Sequence, residues 1–180
     1  NLMHVVTEKD AGSGALFARN PYSGHRPGRI FFAQASEGRR TVTGNRTEFI
    51  GRNGSPAEPA AMRRERLSGR TGAGFDPCAA VQTQLELADG QERDIVFISG
   101  ATDDRAEARQ LIQRFGGAAG ARRALEAVWA HWNHTLGAVY LETPDRALDV
   151  LANGWLIYQT LSSRVWGRSG YYQSGGAYGF

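Results

Sequence analysis

Val81-Gln82-Thr83-Gln84-Leu85-Glu86-Leu87 decides the reading of the first half of the chain. Apolar side chains at 81, 85 and 87 fall on one face, and Gln82, Gln84 and Glu86 on the other. That period of two marks a strand with one face in a core. Ala88-Asp89-Gly90-Gln91 supplies a turn, and Ile95-Val96-Phe97-Ile98 reads as a strand buried on both faces. Residues 80–87 and 94–99 therefore predict a hairpin. Upstream, β-branched and aromatic runs between turn residues predict strands over 2–7, 15–18, 29–35, 47–50 and 66–75, with a loop over 53–59. Seven short strands with regular turns imply an antiparallel β-sandwich over residues 1–100, short of its N-terminal side.

After Gly100 the period changes to that of helices. Thr102 is the expected cap of a helix with Asp103 and Asp104 in its first turn, ending at Gly116-Gly117. A second helix carries Leu125, Val128, Trp129, Trp132 and Leu136 at spacings of three and four, the stripe of a packed face. A third opens at Thr143-Pro144, with Leu148, Leu151, Trp155 and either Tyr158 or Gln159 on its apolar side. The fold class is thus α+β: a sandwich over 1–100, a helical linker over 101–142, and the first helix and loop of an all-α region over 143–180.

Composition narrows the function. The 180 residues are 41% hydrophobic and 22% charged, too apolar for a disordered chain. No apolar run reaches the roughly 20 residues of a membrane span, and no basic-then-apolar leader is visible. A lone cysteine, Cys78, excludes a disulfide framework and a multi-cysteine metal site. Residues 1–70 hold 12 basic and 6 acidic side chains, whereas 71–160 hold 7 and 12. Twenty of the 21 basic residues are arginine, the side chain suited to bidentate contact with carboxylate or phosphate. The cluster Arg63, Arg64, Arg66 and Arg70 contains no aromatic residue, so no nucleic-acid partner is expected. The apolar start at Leu2-Met3-His4-Val5-Val6 and the glycine-rich close at Phe180 predict a piece of a longer chain.

Several groups are candidates for chemistry. His131 and His134 are three apart on a helix, but no carboxylate or cysteine joins them at ligand spacing, so no metal site is expected. Cys78 has no histidine base near it in sequence and reads as an inert thiol. The glycine clusters at 69–74 and 116–120 lack the Lys-Ser/Thr of a phosphate loop and read as turns. The tail differs. Residues 155–180 hold seven of the chain's 18 aromatics, interleaved with Arg164, Arg168, Gln159, Gln173 and serines. Flat rings beside arginines and amides suit a sugar and an anion, so Trp166–Phe180 reads as a binding loop.

Asn153-Gly154-Trp155-Leu156-Ile157-Tyr158-Gln159, then Ser163-Arg164-Val165-Trp166-Gly167-Arg168-Ser169-Gly170-Tyr171-Tyr172-Gln173-Ser174-Gly175-Gly176-Ala177-Tyr178-Gly179-Phe180, resembles glycoside hydrolase family 94. That family holds cellobiose-type phosphorylases and the phosphorylase-like region of cyclic β-1,2-glucan synthases. The resemblance implies a β-sandwich of the super-sandwich type, linker helices and the start of an (α/α)6 barrel. It implies inverting phosphorolysis, in which inorganic phosphate attacks the anomeric carbon while a barrel aspartate protonates the leaving oxygen. Arg164 matches the family's Ser-Arg arginine, which helps bind phosphate. A second family arginine has no counterpart, since Gly175 stands near its place, and Arg168 is the substitute this chain offers. Gln173 and Tyr178 complete the expected phosphate and sugar contacts. The aspartate and an Arg-Asp pair would follow Phe180, so no catalytic residue is assigned and the 180 residues alone are expected to be inactive. No cofactor is implied beyond phosphate as co-substrate. The implied partners are a β-glucan oligosaccharide, phosphate, the remaining domains of the parent chain and a second copy in a homodimer. The implied location is the cytoplasm, including the cytoplasmic face of a bacterial inner membrane. The competing expectation is a sandwich that binds carbohydrate or packs a neighbouring domain without chemistry.

Overall fold

Close approaches at glycine, more than the strongest alternation, set which strands pair. The computed structural model describes residues 4–24 and 26–167, and the chain divides into two units, Asn1–Arg123 and Ala124–Phe180. In the first unit, β1 (Val6–Lys9), β2 (Leu16–Arg19) and β3 (Ile30–Ala35) form an antiparallel meander. A second sheet pairs β4 (Arg39–Asn45) with β5 (Pro77–Gln84), and β6 (Phe97–Thr102) returns to the first sheet beside β3. All pairs are antiparallel, giving the sandwich-like region expected from the sequence.

The hairpin expected from 80–87 and 94–99 does not form. Val81 stands opposite Val42, and Gly100 opposite Phe32. Gly100 supplies the physical reason, because a Cβ there would lie 2.6 Å from the Phe32 ring. Only glycine lets that ring cross its neighbour. Phe97 is 64% exposed, which corrects the reading of 95–98 as buried on both faces: β6 is a sheet edge.

Two other strand expectations are corrected. Residues 47–50 lie in α1 (Arg46–Ile50), because the Asn45 side chain caps the turn, its Oδ1 accepting from the Thr47 N–H at 3.0 Å. Residues 66–75 form a loop with left-handed backbone at Gly69 and Gly74. The loop meets the sheet where the Thr7 N–H donates to the Gly72 carbonyl at 2.9 Å.

The helix α2 (Arg105–Phe115) closes one face of the four-stranded sheet. Its Ala108 and Ile112 pack with Ala15, Phe17, Ile30 and Phe32. Phe17 and Phe32 meet edge to face, centroids 6.5 Å apart. Each buried ring contributes about 1.5–3 kcal/mol relative to exposure. The cap of α2 is Asp104, whose carboxylate accepts from the Ala106 and Glu107 N–H groups. Thr102, the cap expected, is instead buried in β6 and donates to the Asp104 carbonyl. A smaller cluster of Ala61, Leu67 and Ala80 sits beside Phe49 and Cys78.

Past Gly116 runs α3 (Gly117–Leu136), followed by α4 (Arg146–Val150) and α5 (Leu156–Thr160), which continues as wide helical turns over Leu161–Trp166. Asp145, not Thr143, caps α4. The path between α4 and α5 breaks at Asn153-Gly154, where Gly154 takes φ 115°. The Asn153 side chain fixes the break by exchanging two hydrogen bonds with the Leu141 backbone, both at 2.7 Å. The stripe read as a packed face is open: Leu125 and Val128 are exposed and Trp129 is 60% exposed. Trp132 and Leu136, farther along the same stripe, are partly buried, and Trp132 meets the Tyr158 and Trp166 rings.

Candidate functional site

Arg164 stands on the last helical turn, Leu161–Trp166, one residue after Ser163, whose hydroxyl donates to the Gln159 carbonyl at 2.5 Å. Back-bonding of this kind holds a serine against its own helix. Arg168, Gln173 and Tyr178 lie outside the described residues. Trp166, expected in the binding loop, belongs instead to the helical turn, and residues 168–180 of that expected loop lie outside the described residues. Its ring meets Trp132 edge to face at 5.4 Å. Trp132 also contacts Tyr158 at 5.4 Å, and Tyr158 stacks on Trp155 at 6.0 Å. The four rings form a continuous aromatic cluster beside the turn that carries Arg164. Trp155 and Trp166 remain half exposed, so apolar ring surface is open to a ligand or to further protein.

His131 and His134 are both exposed, and His131 lies edge-on to Trp132 at 5.7 Å. Among the described residues, no group of three or more His, Cys, Asp or Glu side chains is arranged to hold a metal. Cys78 is half-buried, and burial pushes its thiol up, away from the reactive thiolate form. Its Sγ points to the Thr43 carbonyl at 3.7 Å.

Two carboxylates of the sandwich are tied into polar knots. Asp10 is buried and accepts from Arg109 Nε at 3.1 Å and Nη2 at 2.6 Å, and from the Ser13 N–H and hydroxyl at 2.8 and 2.7 Å. The Arg109 guanidinium holds the Asp10 carboxyl far below the usual carboxylate range, against the opposing effect of burial. Burial pushes Glu48 up, but hydrogen bonds from Thr43 and Ser68 outweigh it and bring the carboxyl below its ordinary value. Both groups join distant segments and hold the sandwich together. Neither is a proton donor poised for catalysis.

A constellation that the strand-by-strand reading missed lies in the β2–β3 connection. Asn20, Ser23, Arg26, Arg29 and Phe31 line a cavity of about 400 Å³. Arg29 Nε donates to Asp103 Oδ1 at 3.0 Å, and Arg26 Nη1 reaches Asp103 Oδ2 at 3.5 Å. The signal in the sequence is Asn20-Pro21-Tyr22-Ser23-Gly24, polar turn residues that end beside an aromatic strand. Asp103 comes from 77 residues beyond Arg26, so no local reading brings it there.

An antiparallel sandwich with a helix over one face, followed by helices bearing exposed aromatics, defines a sandwich domain leading into a helical domain. Residues 1–118 match the glycosyl hydrolase 94 supersandwich domain, and residues 131–180 match the catalytic domain of the glycosyl hydrolase 94 superfamily. The chain belongs to the glycosyl hydrolase 94 family. It is similar to a cyclic beta-(1,2)-glucan synthase, NdvB, of Rhizobium meliloti (strain 1021), at 38% identity over 98% of this chain and 6% of that protein. It is also similar to an N,N'-diacetylchitobiose phosphorylase of Vibrio proteolyticus, at 27% identity over 69% of this chain and 15% of that protein. A cellobionic acid phosphorylase of Neurospora crassa is 30% identical over 54% of this chain and 12% of that protein. The chain therefore spans a small part of each of these relatives. No helix among the described residues is long and apolar enough to cross a membrane.

Proposed function

We propose that this chain is a segment of an enzyme that moves glucosyl units of a β-glucan with inorganic phosphate as co-substrate, as a phosphorylase or within a cyclic β-1,2-glucan synthase. The observation that carries the reading is the 38% identity to a glucan synthase along nearly the whole chain, joined by two phosphorylase likenesses. In the forward step a phosphate oxygen bonds to the anomeric carbon as the glycosidic C–O bond breaks. The leaving oxygen takes a proton from an acid elsewhere in the parent protein, and glucose 1-phosphate of inverted configuration departs.

Arg164 is the phosphate-holding residue of this segment, and Arg168, Gln173 and Tyr178 are its further phosphate and sugar contacts. A guanidinium offers two parallel N–H donors to two phosphate oxygens and stays charged at any working pH. Because phosphate is the nucleophile, its positioning acts directly on the barrier. The aromatic cluster of Trp132, Tyr158 and Trp166 includes a ring of the helical turn that carries Arg164. The working assembly is the full parent chain, as a homodimer on the cytoplasmic side of the cell.

The test is full-length kinetics with phosphate and β-glucan varied separately. Arg164→Lys should lower kcat/KM by about 10- to 100-fold, the worth of a charge-assisted pair. The loss should fall mainly on the phosphate dependence. Unchanged phosphate KM and kcat in Arg164→Lys would remove Arg164 from the site. An unmodified parent that releases no glucose 1-phosphate from β-glucans would remove the reading as a whole.

A further inference from the structure

We propose that the β2–β3 connection forms a glycan-binding subsite, with Phe31 as the platform for a hexose ring and Arg26, Arg29 and Asp103 as partners for its hydroxyls. Phe31 is 56% exposed on a strand whose other aromatic, Phe32, turns into the core. Its cross-strand neighbours are Ala18 on β2 and Ala101 on β6, both too small to cover the ring. A flat apolar face therefore stands open at the floor of the cavity. The volume of about 400 Å³ falls in the range of about 300–1,000 Å³ typical of small-molecule sites.

The lining arginines, with the Asp103 carboxylate bonded to them, supply both kinds of hydrogen-bonding group. Asp103 draws one N–H from each of two guanidiniums that carry five apiece, which leaves most of their donors for a ligand. Asp103 is itself 60% exposed in its side chain and still has acceptor capacity. Sugar hydroxyls donate and accept at once, so they match this mixed rim. An anion such as phosphate would meet the Asp103 carboxylate on entering and fits less well. Short turns shape the described stretches 20–24 and 26–29. Asn20 Oδ1 accepts from the Tyr22 N–H at 3.0 Å, and the Arg29 N–H donates to the Arg26 carbonyl at 3.1 Å. Turns formed before binding lose less on binding.

The choice of a β-glucan as ligand rests on the function proposed above, while the site rests on its own geometry. The test is an amide NMR titration of the 180-residue chain with β-1,2-linked glucose oligosaccharides, with cello-oligosaccharides and, separately, with sodium phosphate. Saturable shifts at Tyr22, Ser23, Arg29, Phe31 and Asp103 are expected with at least one oligosaccharide series. Phe31→Ala and Arg29→Gln should each weaken that binding about tenfold. Phe31→Tyr keeps a ring and should retain it, and a dispersed spectrum for each variant confirms that it folds. No saturable sugar binding, equal affinity in Phe31→Ala, or phosphate displacing sugar from these residues would each overturn the proposal. A parent enzyme that moves glucosyl units while this chain binds no oligosaccharide removes the subsite alone. Binding here beside a parent without phosphate-dependent transfer removes the proposed reaction and leaves the subsite standing.

Discussion

The sandwich unit and the helical unit use their apolar residues in opposite ways. In the first, Ala15, Leu16, Phe17, Phe32, Ala35, Ala108 and Ile112 are sealed between a sheet and α2, and Val42, Leu67 and Ala80 are buried in or beside the second sheet. Among the described residues of 124–167, Gly154 alone is buried, while Leu125, Val128, Trp129, Leu148, Leu151, Trp155 and Leu156 are all exposed. All four tryptophans of the chain lie in this second stretch. The difference teaches that an amphipathic pattern states which face wants burial, not that the burial is found within the same segment. Helical stability comes mostly from packing that face rather than from propensity. The sandwich carries its own stabilising core, and the described helical stretch leaves most of its large apolar side chains exposed.

The largest test of that contrast is Phe17→Ala. The ring is 1% exposed and packs against Phe32, so truncation should cost about 3–5 kcal/mol, a large share of a small unit's stability. Chemical denaturation followed by circular dichroism would measure it. A midpoint close to that of the unsubstituted chain would mean that the sheet–helix core does not hold the unit.

Next in size is Arg109→Ala, expected to cost about 2 kcal/mol by stripping charge-assisted bonds from buried Asp10. The pH dependence follows from the same pair. The folded Asp10 carboxyl lies below its unfolded value, so at mildly acidic pH the unfolded chain binds more protons. The stabilisation is therefore complete above the ordinary aspartate value near about 3.9 and is lost as pH falls through and below it. Glu48, also depressed, acts in the same direction. Melting temperature against pH should fall on acidification, and less steeply in Arg109→Ala. Parallel curves for the two proteins would break the assignment.

Much of the sandwich was legible because β2 and β3 carry β-branched and aromatic residues within sharp turns. Strand β4 was not, since Arg39-Arg40 opens it and Gly44 sits near its end, although Val42 and Thr43 are buried. The pairing of β6 with β3 depends on Gly100 making room for Phe32 across the sheet, a contact between residues 68 apart. Local pattern sees the turn at 88–91 and cannot see that fit. Arg164 is proposed from its motif alone, whereas Asp103 beside Arg26 and Arg29 exists only through the tertiary fold. The stripe is packed at Trp132 and open at Leu125, Val128 and Trp129, because nothing in a period says where the partner surface lies.

The smallest effect is expected where the sequence promised a large one. Trp129→Ala removes a ring that is mostly in solvent, so stability should move by no more than about 0.5 kcal/mol. Binding of a hydrophobic dye should fall at the same time, since an exposed apolar patch has been trimmed. A loss of several kcal/mol would place Trp129 in a core after all.

Amide hydrogen exchange read by mass spectrometry on the intact 180-residue chain tests the contrast between the two units most directly. Slow exchange requires burial and cooperative structure, and local openings with few packed contacts exchange fast. Peptides covering β2, β3, β4 and α2 should be protected to the level of global unfolding. Peptides covering α4, α5 and the turn through Trp166 should exchange orders of magnitude sooner. Equal protection of the two sets would contradict the account, for the helical stretch would then own a core that its exposed side chains do not provide.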